Sequence, residues 1–292
     1  MSDDKGSPQG GPQPGPRTPA AISPELRLRI LSGLAVAAVA IFALWAGALP
    51  FSLLVFAIAA AMSWEWGTIV RKDGFDIPGI LHIGAVAAAA VLSGIGAAGL
   101  GVVAVAAGAI AVSALLFGGG QARLSSLGVF YTGLPVVALV WLRSDDIHRG
   151  LTAVAFILLV VAATDIAAYA TGRTVGGPRL APRISPGKTW SGLAGGVAAA
   201  AGAGALMGHA AGGSPSWMAF LALVLAFTAQ AGDLAESALK RSYGLKDSSN
   251  LIPGHGGFMD RMDGIVTAAV AAALIALLID PYPPARALLH GS

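Results

Sequence analysis

Nine stretches of 17 to 25 residues, apolar and poor in charge, follow one another between residues 30 and 280 and leave few options for folding. A helix rises 1.5 Å per residue and the hydrocarbon core of a bilayer is ~30 Å thick, so each stretch is long enough to span it. Backbone groups in lipid must be satisfied within the segment, and an apolar run of this length does that as a helix. The sequence therefore predicts an all-α, polytopic integral membrane protein of about nine transmembrane helices, at roughly 30–49, 51–70, 79–97, 98–117, 126–142, 150–170, 191–211, 216–240 and 263–280. Hydrophobic residues make up 55% of the 292 and charged residues 11%, which agrees with that class.

Residues 1–24 are rich in Pro, Gly and Gln without apolar periodicity and are expected to form a disordered cytoplasmic tail. Residues 25–145 then hold the N-terminal transmembrane helices. Residues 146–292 form a C-terminal catalytic region with cytoplasmic loops at 172–190 and 241–262. The charge distribution supports this orientation. With nine spans and the N-terminus inside, 15 of the 18 Lys and Arg fall on the inner side, and Arg143, Arg149 and Arg286 on the outer. The bases lie in short blocks between spans, so nucleic acid is not expected as a partner. The absence of cysteine excludes disulfides, thiolate nucleophiles and Cys-ligated metals. Small residues fill the spans, and the Gly192-x-x-x-Gly196 spacing is read as close helix packing.

Ionisable residues near a bilayer are costly and mark function by default. They concentrate from Ser237 to Gly264, SALKRSYGLKDSSNLIPGHGGFMDRMDG. Asp233 and Glu236 precede this stretch near the inner end of the eighth span. Ser237, Lys240 and Arg241 follow at spacings that put most of them on one helix face. Lys240 and Arg241 alone could be cations snorkelling at a membrane boundary, but Asp233 sits deeper. Asp260 and Asp263 open the ninth span, where acids are ordinary caps; with Asp233 they make an oxygen-rich set suited to Mg²⁺. The glycines before them either admit a phosphate or make a tight turn. Asp165 and Arg173 end the sixth span, and Ser185, Pro186, Lys188 and Thr189 lie in the following loop, which carries four bases. Cations for outer phosphate oxygens and carboxylates for an ion are what a metal–triphosphate requires.

The pattern S-x-x-K-R-x(4)-K-D-x(5)-P-G-H-G-G-x-x-D-R-x-D is met by Ser237, Lys240, Arg241, Lys246, Asp247, Pro253, Gly254, His255, Gly256, Gly257, Asp260, Arg261 and Asp263. It resembles the signature of the phosphatidate cytidylyltransferase family, as do D-x-x-A-Y-x-x-G-R at Asp165–Arg173 and S-P-x-K-T at Ser185–Thr189. The resemblance covers roughly residues 26–285. It implies transfer of CMP from CTP to phosphatidate, giving CDP-diacylglycerol and pyrophosphate. It also implies Mg²⁺ as cofactor, with the number of ions open, and a homodimer in a bacterial-type inner membrane.

Carried over residue by residue, the resemblance implies Asp233 and Asp260 as metal ligands, with Asp263 a nearby ligand or supporting carboxylate. Lys188, Lys240, Arg241, Lys246 and Arg261 would hold phosphate oxygens. Arg173, Asp165, Ser185, Thr189, Ser237, Asp247, Gly256 and Gly257 would line the substrate site. His255 either protonates the leaving pyrophosphate or orients its turn. The chain departs from the family pattern at Ser191, where a Glu is usual. Glu65, between Trp64 and Trp66, matches a further acidic position or is an interfacial residue in an aromatic belt. Two other classes stay open: a transporter of an anionic solute, and a transferase acting on a different lipid phosphate.

Overall fold

The computed structural model describes residues 24–291; the expected tail at 1–24 lies almost wholly outside the described residues. Those residues form α1 (Pro24–Ala46), α2 (Ala48–Arg71), α3 (Ile77–Gly94), α4 (Ala98–Leu115), α5 (Gly119–Arg143), α6 (Ile147–Thr174), β1 (Arg179–Ala181), β2 (Ser185–Thr189), α7 (Trp190–Ala210), α8 (Pro215–Ser242), α9 (Met259–Ile279) and α10 (Pro284–His290). Each of the nine expected spans coincides with one of α1–α9. Eight of them, α2–α9, are long and apolar enough to cross a membrane, whereas the apolar part of α1 runs only from Leu31 to Ala46. Two features were not anticipated. The segment around Ser185–Thr189, read as a loop, is the second strand of an antiparallel hairpin pairing Arg179 with Thr189. The C-terminal end adds the short helix α10.

Local sequence explains where these helices begin. Asp76 caps α3 by accepting from the Gly79 N–H, Asp146 caps α6 through the His148 and Arg149 N–H groups, and Thr189 caps α7 through the Gly192 N–H. Burial alone would raise the Asp76 carboxyl. The Arg71 guanidinium and the Gly79 N–H outweigh it and hold that carboxyl below the usual range.

The interior is built of small and branched apolar side chains such as Val86, Ala153, Val160, Ala200, Leu225 and Ala272, all fully buried. Large apolar residues including Leu34, Phe42, Leu53, Ile110, Leu206 and Leu278 face outward. That inversion suits a lipid surround, where helices gain from close packing rather than from hiding apolar surface. The expectation for Gly192 and Gly196 holds. A Cβ on Gly192 would stand 2.8 Å from the Ala168 carbonyl, and one on Gly196 the same distance from that of Thr164. Glycine at both positions lets α7 lie against α6.

Two sets of contacts mark the ends of the bundle. At one end Trp66 of α2 donates to the Leu124 carbonyl of α5, and Arg71 donates to Ser125. At the other, Arg143 reaches the Leu44 carbonyl, Asp145 accepts from the Ala285 N–H, and Trp217 donates to Leu288. The helices α6 and α8 each hold 28 residues, about 42 Å at 1.5 Å per residue against a ~30 Å core. Their last turns carry Arg173, Lys240 and Arg241, with Asp165 and Asp233 about two and a half turns further in.

Candidate active site

The long C-terminal ends of α6 and α8 meet the N-terminal ends of α7 and α9, so the chain's charged segments gather at one end of the bundle. Two linked clusters result. In the first, the Lys188 ammonium on β2 stands 2.6 Å from Asp233 Oδ2 and donates to Gln230 Oε1 at 3.1 Å. Gln230 passes the connection on, donating to Asp165 Oδ1 at 3.1 Å, while Ser237 donates to Asp233 Oδ1 at 3.3 Å. These groups border a cleft of about 700 Å³, lined also by Tyr169, Arg173, Ser185 and Thr189. The hairpin β1–β2 forms one wall and so brings Lys188 to α8.

The second cluster is more buried. The Lys240 ammonium lies between Glu236 Oε2, at 2.7 Å, and Asp260 Oδ1. The other Asp260 oxygen accepts three hydrogen bonds, from the Ser248 N–H and hydroxyl at 2.9 Å each and from the Gly257 N–H at 2.8 Å. Glu236 is 2% exposed, and neither of its oxygens accepts an aligned hydrogen bond among the described residues. Among the described residues its one ion-pair partner is Lys240. Asp263 accepts from the Gly264 N–H. It lies within electrostatic reach of Asp233, Glu236 and Asp165, so the two clusters share one field.

Glu65 points into the bundle and not outward. It is 0% exposed, and its carboxylate accepts from the Phe258 N–H at 2.9 Å, the Met259 N–H at 2.8 Å and the Ser249 hydroxyl. A side chain of α2 therefore supplies the anionic cap that α9 lacks from its own N-cap residue, Phe258. Gly257 is pressed between this cap and the loop. A Cβ there would meet Ser248 Oγ at 2.0 Å and Glu65 Oε1 at 2.2 Å. Gly257→Ala is expected to cost about 1–3 kcal/mol, as overpacking does, read as a lower melting temperature of the detergent-purified protein.

The remaining candidates are placed as follows. Arg241, exposed, donates to the carbonyls of Ile184 and Leu245 and so ties α8 to the hairpin. Arg261 donates to the His255 carbonyl. His255 Nδ1 turns to the Ser32 hydroxyl of α1 at 2.8 Å, which anchors the Pro-Gly-His-Gly-Gly turn there. Lys246 and Asp247 are exposed and form no side-chain hydrogen bond or ion pair among the described residues. Gly256 adopts φ +82, the left-handed region that glycine permits, and a Cβ there would stand 2.7 Å from Asp260 Oδ2. Arg173 donates to the Tyr169 hydroxyl, Ser185 starts β2, and Ser191 bonds the Gly176 carbonyl and Thr189. The hydroxyl at 191 thus closes the loop after α6.

Gln230 and the capping role of Glu65 were missed from the sequence. Gln230 lies three residues before Asp233 on the same helix face, a spacing that could have flagged it. Among the described residues no three His, Asp or Glu side chains converge closely enough to enclose an ion.

The structure is that of a multi-pass helical protein with two lysine–carboxylate contacts at one end of the bundle, one of them lining an open cleft. Comparison with known proteins narrows that class. Residues 27–279 match the model of the cytidylyltransferase family. A phosphatidate cytidylyltransferase of Brucella suis is 38% identical over 89% of this chain and 96% of its own length. One of Bacillus subtilis is 31% identical over 83% and 94%, and one of Mycobacterium leprae 43% identical over 40% and 38%. The chain belongs to the cytidylyltransferase family and is a membrane-embedded nucleotidyltransferase.

Proposed function

We propose that this enzyme transfers CMP from CTP to phosphatidate, releasing pyrophosphate and leaving CDP-diacylglycerol in the membrane. The observation that carries the reading is the Lys188–Asp233 contact, which lines an open cleft, together with the buried Lys240–Asp260 contact further along α8. The relatives named for this activity align along nearly their whole length. Phosphatidate keeps its acyl chains in the leaflet while CTP arrives from water, and a cleft at the boundary serves both. The biased distribution of Lys and Arg supports a cytoplasmic side for that cleft.

The nucleophile, a phosphate monoester oxygen, is already anionic near neutral pH. A bond forms from it to the α-phosphorus of CTP, and the bond from that phosphorus to the β-phosphate oxygen breaks, so no proton need be removed from the attacking group. What the protein must supply is an in-line arrangement and relief of repulsion between two anions. Lys188 and Lys240 suit this because each is held at the end of α8 by a carboxylate it can exchange for a phosphate oxygen. Arg173 lines the same cleft. Arg241 and Arg261 are exposed at the same end of the bundle and, among the described residues, bond only carbonyl oxygens.

The carboxylates match a hard divalent cation in chemistry, and Asp233 and Asp260, supported by Asp263, are the residues that would hold Mg²⁺. Such an ion, once bound, would neutralise phosphate charge and polarise the α-phosphorus. Asp260 would offer Oδ1, which now faces Lys240. Oδ2 stays committed to the loop. The geometry of His255 favours orienting the turn over proton transfer.

The reading is tested with purified protein in detergent, phosphatidate and Mg²⁺, supplied with CTP labelled at the α- or the γ-phosphorus. Label from the α position is expected in the lipid phase and label from the γ position in soluble pyrophosphate. Entry of γ label into lipid would overturn nucleotidyl transfer in favour of phosphoryl transfer. Solute uptake into liposomes with no lipid labelling would favour a transporter.

A further inference from the structure

Two carboxylates line the open cleft, and their surroundings differ. Asp233 is paired with the Lys188 ammonium at 2.6 Å. Asp165 forms no ion pair among the described residues; its Oδ1 accepts from the Gln230 amide at 3.1 Å, and its Oδ2 accepts no hydrogen bond among them. The orientation of that amide is fixed from its other end, because Gln230 Oε1 accepts from Lys188 at 3.1 Å and an ammonium can only donate. Gln230 is 6% exposed, so the order of ammonium, amide and carboxylate is held by its surroundings and leaves one Asp165 oxygen unengaged.

One turn further along α6, Tyr169 lines the same cleft, four positions on and therefore on the same helix face. It is 68% exposed, pairs with no other ring among the described residues, and its hydroxyl accepts from Arg173 at 2.8 Å. A carboxylate and a flat aromatic face thus stand side by side on α6. Neither suits a phosphate, since the carboxylate repels it and the face of the ring is the negative part of its quadrupole. The uncharged end of a nucleotide suits both: a base stacks on an aromatic ring and offers donors from its edge. Ribose hydroxyls also donate, but they have no use for the ring. Cytosine carries an amino group at position 4 where uracil carries a carbonyl oxygen, and a carboxylate accepts only from the former.

We propose that Asp165 is a specificity-determining residue: its Oδ2 accepts from the 4-amino group of cytosine while Tyr169 supports the face of the base. This role rests on CTP being the nucleotide, as proposed above. Uracil would set a carbonyl oxygen against the carboxylate, leaving two acceptors without a donor, and would be rejected for that reason.

The test compares kcat/KM for CTP, UTP, dCTP and a CTP methylated twice on its 4-amino group, in detergent with phosphatidate and Mg²⁺. The unmodified protein should use UTP and the dimethylated CTP at least about 100-fold less well than CTP, because a site that accepts from an N–H rejects an analogue lacking it. In Asp165→Asn the substituted amide keeps its oxygen on Gln230, whose orientation Lys188 fixes, and presents its NH₂ group to the base. The preference for CTP over UTP should therefore fall by about 10- to 100-fold, through a gain for UTP as well as a loss for CTP, with dCTP losing as much as CTP. Tyr169→Leu removes the flat face and should weaken CTP and UTP alike, by about tenfold, with their ratio kept. Dimethylated CTP used as well as CTP by the unmodified protein overturns the inference, and that arm needs no variant to fold. So does an equal loss for CTP, UTP and dCTP in Asp165→Asn, which would place the carboxylate with the phosphates or the ion. A loss for CTP and UTP that spares dCTP overturns it too, by assigning the carboxylate to the ribose. If the unmodified protein transfers nothing from CTP to lipid, the proposed function falls and this inference with it. If transfer occurs and the variant keeps the same preference for CTP over UTP, only the inference falls.

Discussion

Asp233→Asn is expected to abolish label transfer from CTP to lipid, by roughly 10³-fold or more, the scale set by removing a group that organises charge in a transition state. The same change should leave the protein folded. The Asp233 side chain is 27% exposed and its partner Lys188 is 19% exposed, and ion pairs in so wet a setting contribute within about 1 kcal/mol. Asn also keeps an oxygen to accept from Ser237. The measurement is kcat beside the melting temperature of the same preparation. Near-normal turnover would remove Asp233 from the site, whereas loss of turnover together with unfolding would recast it as structural.

Lys240→Met has the opposite profile, and its effect on stability is the largest foreseen. Lys240 is the shared cation of Glu236 and Asp260, side chains 0% and 5% exposed. Removing it leaves two buried carboxylates facing each other, and breaking a buried pair in this way costs about 3–5 kcal/mol. Met fills similar volume, so the loss reports charge rather than a cavity. Adding Glu236→Gln to Lys240→Met should restore much of the melting temperature, because one of the uncompensated charges is gone. Turnover should stay absent, because no cation replaces the ammonium at the phosphate. A Lys240→Met protein as stable as the unmodified one would show that this triad does not hold α8 to α9.

These contrasts follow from how the site is assembled, which the sequence reveals unevenly. The spans were legible because lipid imposes length and apolarity on each segment independently of its neighbours. The charged stretch from Asp233 to Asp263 was legible because charge there is too costly to be incidental. The hairpin Arg179–Thr189 was not. Strands of three and five residues, RLA and SPGKT, are too short to carry a period that separates them from a loop. Nor could the sequence pair its own charges. Spacing put most of the charged residues of α8 on one face, but which carboxylate meets Lys188, and that Glu65 of α2 caps α9, depend on tertiary contacts between distant segments.

The central claim is that lysines now held by Asp233 and Asp260 exchange those carboxylates for substrate phosphates at one cleft. A structure of the protein with CTP and Mg²⁺ bound tests it most directly. The account predicts the triphosphate in the cleft bordered by Lys188, with at least one of Lys188 and Lys240 moved from its carboxylate onto a phosphate oxygen. A nucleotide bound elsewhere, or bound in that cleft with both lysines still on Asp233 and Asp260, would contradict it.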